Sequence, residues 1–237
     1  MGTAKLLGID IMTNFNSPYF SFTIKEFWSR WHISLSTWFR DYVYIPLGGN
    51  RVGKVRHNLN LMITFLVSGF WHGANWTFIL WGGLHGLYQI IEQTLFRRKN
   101  HRLFDKEGKY QGQLFRWILG VMVTFVLAAF AWIFFRANSI GDAVYVVTHL
   151  LDGITDPVTY LKQGYALIGG SISSVMFIAI PILLLTVYDF FSLKTDLILA
   201  MEKRGIVFRW IVYLLLGVLI LLFATKGEGA EFVYLQF

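Results

Sequence analysis

The stretch Phe70-Trp71-His72-Gly73-Ala74-Asn75-Trp76 sets an imidazole and a carboxamide into a run that otherwise reads as hydrocarbon-embedded helix. Apolar residues extend before it from Leu61 and after it to Leu87, which makes His72 a titratable group at membrane depth. Ionisable residues are costly there, about 2.5–3.5 kcal/mol for Arg, Lys or Asp at the centre of a span, and mark function by default. On the residues alone, His72 is either a catalytic group or a hydrogen-bonded residue of helix packing. The chain has no cysteine, which removes disulfides, thiolate metal sites and a cysteine acyl-enzyme together. Any chemistry falls to His, Ser, Asn, Asp or Glu.

Other polar groups recur at helical spacing. His32 and Ser36 are four residues apart, on one face of a helix, and His85, Tyr88 and Glu92 share a face by three- and four-residue steps. His32 either has a functional role or satisfies a buried carbonyl beside the tryptophans. For the His85 group, interhelical hydrogen bonding is the simpler account. The histidines lack the compact spacing of a ligand set, so no metal is expected. There is no GxSxG elbow, which disfavours a serine acyl-enzyme.

The elements that must position these residues follow from composition. The chain has 237 residues, 55% hydrophobic and only 15% charged, against about 25% charged in a soluble domain. Its mean hydropathy is +0.53. This is an all-α, polytopic membrane bundle, and nine Trp and eleven Tyr fit aromatic belts at the two interfaces. The net charge of +7 sits in short loops between apolar stretches and forms no stripe, so no nucleic acid partner is expected. A core of ~30 Å needs about 20 apolar residues, and three stretches qualify: 117–135, 172–191 and 207–225. Two further pieces within 59–96 flank the histidine, the first of them short and either tilted or broken at Gly69 and Gly73. No internal repeat is present, and 1–237 reads as one transmembrane domain.

The amino-terminal part differs in kind. Thr23 and Glu26 have capping-box spacing, with Phe22 and Phe27 placed as a hydrophobic staple. They predict an amphipathic helix over 23–45 whose Lys25, Glu26, Arg30, Arg40 and Asp41 make it interfacial or re-entrant. Residues 140–151 carry a stripe of Ala143, Val144, Val147, Leu150 and Leu151 that would lie on the membrane without crossing it. The basic run 97–102 faces the cytoplasm, and 137–170, with Lys162 against three aspartates, faces outside. The connection 194–209 is basic again and the tail after Thr225 external. This pattern is that of a multi-pass membrane protein, with His72 in the outer or middle part.

Four blocks carry a family resemblance: KEFWSRWHISLSTWFRDYVYIPLGGNR from Lys25 to Arg51, FLVSGFWHGANWTFILWGGLHG from Phe65 to Gly86, AWIFFRA from Ala131 to Ala137, and FVYLQF from Phe232 to Phe237. They resemble the membrane-bound O-acyltransferase family in its alginate O-acetyltransferase branch. Members of that family are longer, and the chain resembles their carboxy-terminal half.

The resemblance implies transfer of an acyl group, usually acetyl, from a cytoplasmic donor to hydroxyls of an exported or cell-wall polysaccharide through a tunnel. The donor would be acetyl-CoA or an acyl carrier, with no resident cofactor. His72 matches the family's catalytic histidine and His32 its second one. A sugar hydroxyl is a weak nucleophile, so attack on a thioester needs a base within ~2.6–3.2 Å, and neutral imidazole suits that task. Asn75 or a backbone N–H near Gly73 would stabilise the oxyanion. Trp71, His85, Ser36 and Arg40 would line the tunnel or touch substrate, Arg40 either facing donor phosphates or pairing with Asp41. Implied partners are the polysaccharide, membrane lipids and extracytoplasmic acyltransferase proteins. His101 and Asp105 have the HxxxD spacing of soluble acyltransferases but lie in a basic loop without the following glycine, so chance explains them. The alternatives are D-alanyl transfer to teichoic acid, and a non-enzymatic transporter or scaffold half of an export complex, to which broken helices belong equally.

Overall fold

A computed structural model describes residues 2–96, 103–104 and 110–223. The basic run 97–102, Asp105 and the tail after Thr225 with its FVYLQF end lie outside the described residues. The chain forms two compact units, residues 1–152 and residues 153–237. Among the described residues there is no strand, only an isolated antiparallel bridge between Phe104 and Tyr110.

In the first unit, helix α1 (Gly2–Leu6) leads through an irregular strap to a single 3-10 turn, Pro18–Phe20. Thr23 then caps α2 (Ile24–Arg30), its hydroxyl accepting from Glu26 N at 3.0 Å, while Glu26 Oε2 reaches back to Phe22 N at 2.8 Å. The Glu92 carboxylate adds a remote cap, accepting from Ile24 N at 2.9 Å. Phe22, Ile24 and Phe27 are all buried, which anchors the start of the element in the core.

The helix expected to run unbroken over 23–45 is in fact broken. Helix α2 stops at Trp31, which is extended, His32 takes a left-handed conformation, and α3 (Ile33–Phe39) restarts and passes into a π-helical turn, Arg40–Tyr44. Tertiary contacts override the local periodicity here. Trp31 is stacked on Phe27 at 5.6 Å and tilted against Trp132 at 5.2 Å, and the Ser36 hydroxyl donates to the Trp31 carbonyl at 3.2 Å.

Helix α4 (Lys54–His72) has 19 residues, so at 1.5 Å each it reaches about 28 Å. It starts before the apolar stretch because Asn60 is buried and donates to the Gly49 carbonyl at 3.3 Å, tying the preceding turn to the helix. Its partner is α5 (Trp76–Ile91), followed by a π-helical turn, Glu92–Phe96. Of the two glycines expected to break the first helix, Gly69 lies within continuous helix, and the break is at Gly73, with φ 158 and ψ 155, a region that glycine alone occupies readily. Gly69 serves packing instead. A Cβ there would run into the Phe78 carbonyl, and one at Gly82 into the Phe65 carbonyl, so each helix presses a glycine against the other's backbone. Small residues allow such close approach between membrane helices.

Helix α6 (Leu114–Arg136) packs on α5, with Gly120 making room for the Phe22 ring. Ser139 then caps α7 (Ile140–His149), accepting from Asp142 N at 3.1 Å. Ten residues make about 15 Å of helix, half of what a crossing requires.

The second unit contains α8 (Pro157–Leu167), capped by Asp156, α9 (Ile172–Ser192) with Pro181 inside it, α10 (Leu197–Glu202) and α11 (Ile206–Phe223). Helix α8 occupies a segment read from sequence as external loop. Its side chains are exposed and its amphipathic signal is weak, while Asp156 and Pro157 start it locally. Two described helices, α6 and α9, are long and apolar enough to cross a membrane by length and composition, and α11 is a shorter apolar helix.

Candidate active site

His72 is the last residue of α4, half-buried, and aromatic rings enclose it. Ring centroids of Trp71, Trp81 and Phe135 lie at 4.9, 5.1 and 5.1 Å, each edge-on, and Phe78 is tilted at 6.3 Å. Three helices contribute: α4 ends in the histidine, α5 supplies Phe78 and Trp81, and α6 supplies Phe135. Trp81 is 1% exposed and touches two imidazoles edge-on, His72 on one side and His85 at 5.2 Å on the other.

His32 is close enough to His72 for the two to interact electrostatically. Its φ of 43 and ψ of 57 place a non-glycine residue in the left-handed region, which costs roughly 1–2 kcal/mol. Its Nδ1 is buried and makes no hydrogen bond, and its ring lies 6.0 Å from Phe15. Backbone strain of this kind gathers at functional sites.

A cleft of about 460 Å³ lies between the α2–α3 segment and the α4–α5 pair. Ser36, Phe39 and Arg40 line one wall and His57, Ser68 and Gln89 the other, while Lys25 and Arg40 bring positive charge and no carboxylate lines it. Ser68 is one helical turn before His72, and neither His72 nor His32 is among the residues that line the cleft. Tyr44, His57 and Gln93 form a relay in its wall. With Gln93 Oε1 accepting at 3.1 Å, the His57 proton sits on Nε2, and Nδ1 accepts from the Tyr44 hydroxyl at 2.8 Å. Arg40 also pairs with its neighbour Asp41 through Nε at 2.8 Å, and the guanidinium holds that carboxyl below the usual carboxylate range. Arg40 is therefore a paired side chain on the wall of the cleft.

The other expected site residues fall elsewhere. His85 is fully buried and belongs to the helix interface: Trp28 Nε1 donates to its Nδ1 at 3.2 Å. Since an indole can only donate, the His85 proton lies on Nε2 and neither nitrogen offers a lone pair for catalysis. Asn75 caps α5, its Oδ1 accepting from Thr77 N at 3.1 Å, and its Nδ2 donates to the Asn138 carbonyl at 3.0 Å, joining α5 to the α6–α7 corner. The Gly73 N–H donates to the Phe70 carbonyl at 3.1 Å. The Asn75 side chain and the Gly73 N–H are thus both engaged in structure. Trp71 is 48% exposed, between His72 and Phe39, whose centroid is 6.2 Å away. No group of three or more potential metal ligands occurs among the described residues.

Trp81, Trp28 and the Tyr44–His57–Gln93 relay were missed from sequence. Trp81 and His85 are four residues apart, which signals contact on a helix face, but contact with His72 depends on how α4 and α5 cross. Chemically, the arrangement offers a half-buried imidazole at a helix break, a second imidazole at the strained start of α3, and a largely apolar cleft into which Lys25 and Arg40 bring positive charge. It can take a proton from a nucleophile held next to His72.

The family model described as MBOAT, membrane-bound O-acyltransferase family, matches residues 2–135. The chain is 46% identical over 143 residues to a probable alginate O-acetylase AlgI of Azotobacter vinelandii, covering 60% of this chain and 26% of that protein. It is 40% identical over 159 residues to a peptidoglycan O-acetyltransferase of Helicobacter pylori, 65% of this chain and 28% of that one. With a teichoic acid D-alanyltransferase of Streptococcus thermophilus it shares 36% over 148 residues, 57% and 35% of the two chains. The matched stretch thus spans between a quarter and about a third of these relatives. The family match covers more than half of the chain and contains α2 to α5, His32 and His72: the chain belongs to the membrane-bound O-acyltransferase family.

Proposed function

We propose that this chain carries the reacting part of a membrane O-acyltransferase that moves an acetyl group from a cytoplasmic thioester to hydroxyls of an exported or cell-wall polysaccharide. The observation that carries the reading is His72 at the Gly73 break of α4, ringed by aromatic side chains and one helical turn from Ser68, which lines a cleft bearing Lys25 and Arg40. An imidazole nitrogen of His72 takes the proton as the sugar oxygen attacks the thioester carbonyl. The C–S bond breaks, the thiolate leaves with that proton, and the products are an ester and a free thiol. No covalent enzyme intermediate is needed. The cleft, with Lys25 and Arg40, suits the phosphates of acetyl-CoA or of an acyl carrier's prosthetic arm. The protein is multi-pass in a bacterial-type cell membrane, and it works with extracytoplasmic proteins that hold the polymer.

The test supplies native membranes containing the whole protein with acetyl-CoA labelled in its acetyl group. Label should appear in alkali-labile ester on the polysaccharide, with one thiol released per ester formed. Ester formation from a D-alanyl carrier and none from acetyl-CoA would move the reading to D-alanyl transfer, and no ester from either would overturn it.

A further inference from the structure

The strap before α2 supplies the cap that decides where His32 points. His32 stands at the start of α3 but its side chain makes no capping hydrogen bond. The first amides of a helix need acceptors from outside it, and here Asn14 provides two. Its backbone carbonyl accepts from Ile33 N at 3.0 Å and its Oδ1 from Ser34 N at 3.0 Å. Asn16 N donates to the Arg30 carbonyl at 3.0 Å, so the same strap also holds the end of α2. Both sides of His32 are clamped. A Ser, Asp or Asn in its place would turn its side chain onto its own helix, whereas the half-buried imidazole makes no bond to that helix and its Nδ1 is buried.

We propose that Asn14 is a positioning residue for His32: by capping α3 from outside, its carboxamide holds His32 in the left-handed conformation that keeps the imidazole off its own helix with Nδ1 buried. The inference rests on the reading of His32 and His72 as a functional pair. Loss of the carboxamide leaves Ser34 N–H without its acceptor and removes one of the two bonds that fix the start of α3 after His32.

The experiment measures ester on the exported polysaccharide of cells carrying the full chain, divided by the amount of protein in the membrane. Asn14→Ala should lower ester formation about 10-fold, since a misplacement of about 1 Å can cost on the order of 10²-fold, and Asn14→Asp, which keeps the acceptor oxygen, should retain most of it. In a His32→Ala background, which adds no cap of its own, Asn14→Ala should cause no further loss. A further loss there would make Asn14 a general support of the fold and overturn the inference. So would full activity of Asn14→Ala when His32→Ala is impaired, which leaves the reading of His32 intact. Full activity of His32→Ala would instead remove that reading, and the inference with it. If Asn14→Ala fails to accumulate, Asn14→Gln, which displaces the carboxamide by one methylene, replaces it in the same cycle.

Discussion

The crossing of α4 and α5 carries the site, and Gly82→Ala tests it. A Cβ on Gly82 would sit 3.0 Å from the Phe65 carbonyl carbon and 3.3 Å from Gly69 N, with the Phe65 carbonyl oxygen closer still. All three are backbone atoms, so no side chain can move aside, and the helices must part by on the order of 1 Å to regain ordinary contact distance. Overpacking costs about 1–3 kcal/mol, and unrelieved backbone contact places this substitution at the upper end. For a chain of this size about 3 kcal/mol lowers Tm by roughly 6–12 °C. Parting the helices also carries Trp81, next to Gly82 in sequence, away from His72, and a misplacement of about 1 Å can reduce a rate by on the order of 10²-fold. Gly83 is the control, since a Cβ there meets only Leu66 Cδ2 at 3.5 Å, an ordinary contact. Thermal unfolding of the detergent-solubilised protein, with ester formation per molecule, should show Gly82→Ala impaired in both and Gly83→Ala unchanged. Equal behaviour of the two variants would refute the close-packed crossing.

Three further outcomes follow from other parts of the structure. Trp28→Phe removes the donor to His85 Nδ1 and leaves a buried acceptor unpaired, which should cost about 1–3 kcal/mol in thermal or denaturant unfolding; unchanged stability would place that acceptor on another donor. Thr23→Ala removes the cap of α2 and should cost about 0.5–2 kcal/mol, whereas Thr23→Ser should stay close to the parent in the same melt. Cysteine introduced at Asp156 should react with a membrane-impermeant reagent from outside only and at Lys99 from the cytoplasm only, and reversed labelling would overturn the orientation.

What was legible in the sequence was local. The Thr23–Glu26 cap, the apolar stretches that became α6, α9 and α11, and the isolation of His72 among aromatics depend on near neighbours along the chain, and the short α7 follows from its apolar stripe. The break at His32 was not legible because its cause, Asn14 capping from upstream, is tertiary, while the local pattern of Phe27, Trp28, Trp31 and Leu35 favours continuous helix. Gly69 was read as a possible break because glycine is weak in helices, yet its missing side chain is what lets α5 approach. His85 and Asn75 carried the right residue types for chemistry, but Trp28 and Asn138 claim them. Trp81 looked like one apolar residue among many, and only the crossing of two helices places it between two imidazoles.

The central claim is that His72 is the base for acyl transfer, and the measurement that tests it most directly is the ester content of the exported polysaccharide in cells carrying His72→Ala at matched membrane abundance. A general base contributes roughly 10²–10⁴-fold, so ester should fall to background while the protein accumulates normally and melts near the parent. His72→Ala protein that still acylates the polymer at the parental level would contradict the account.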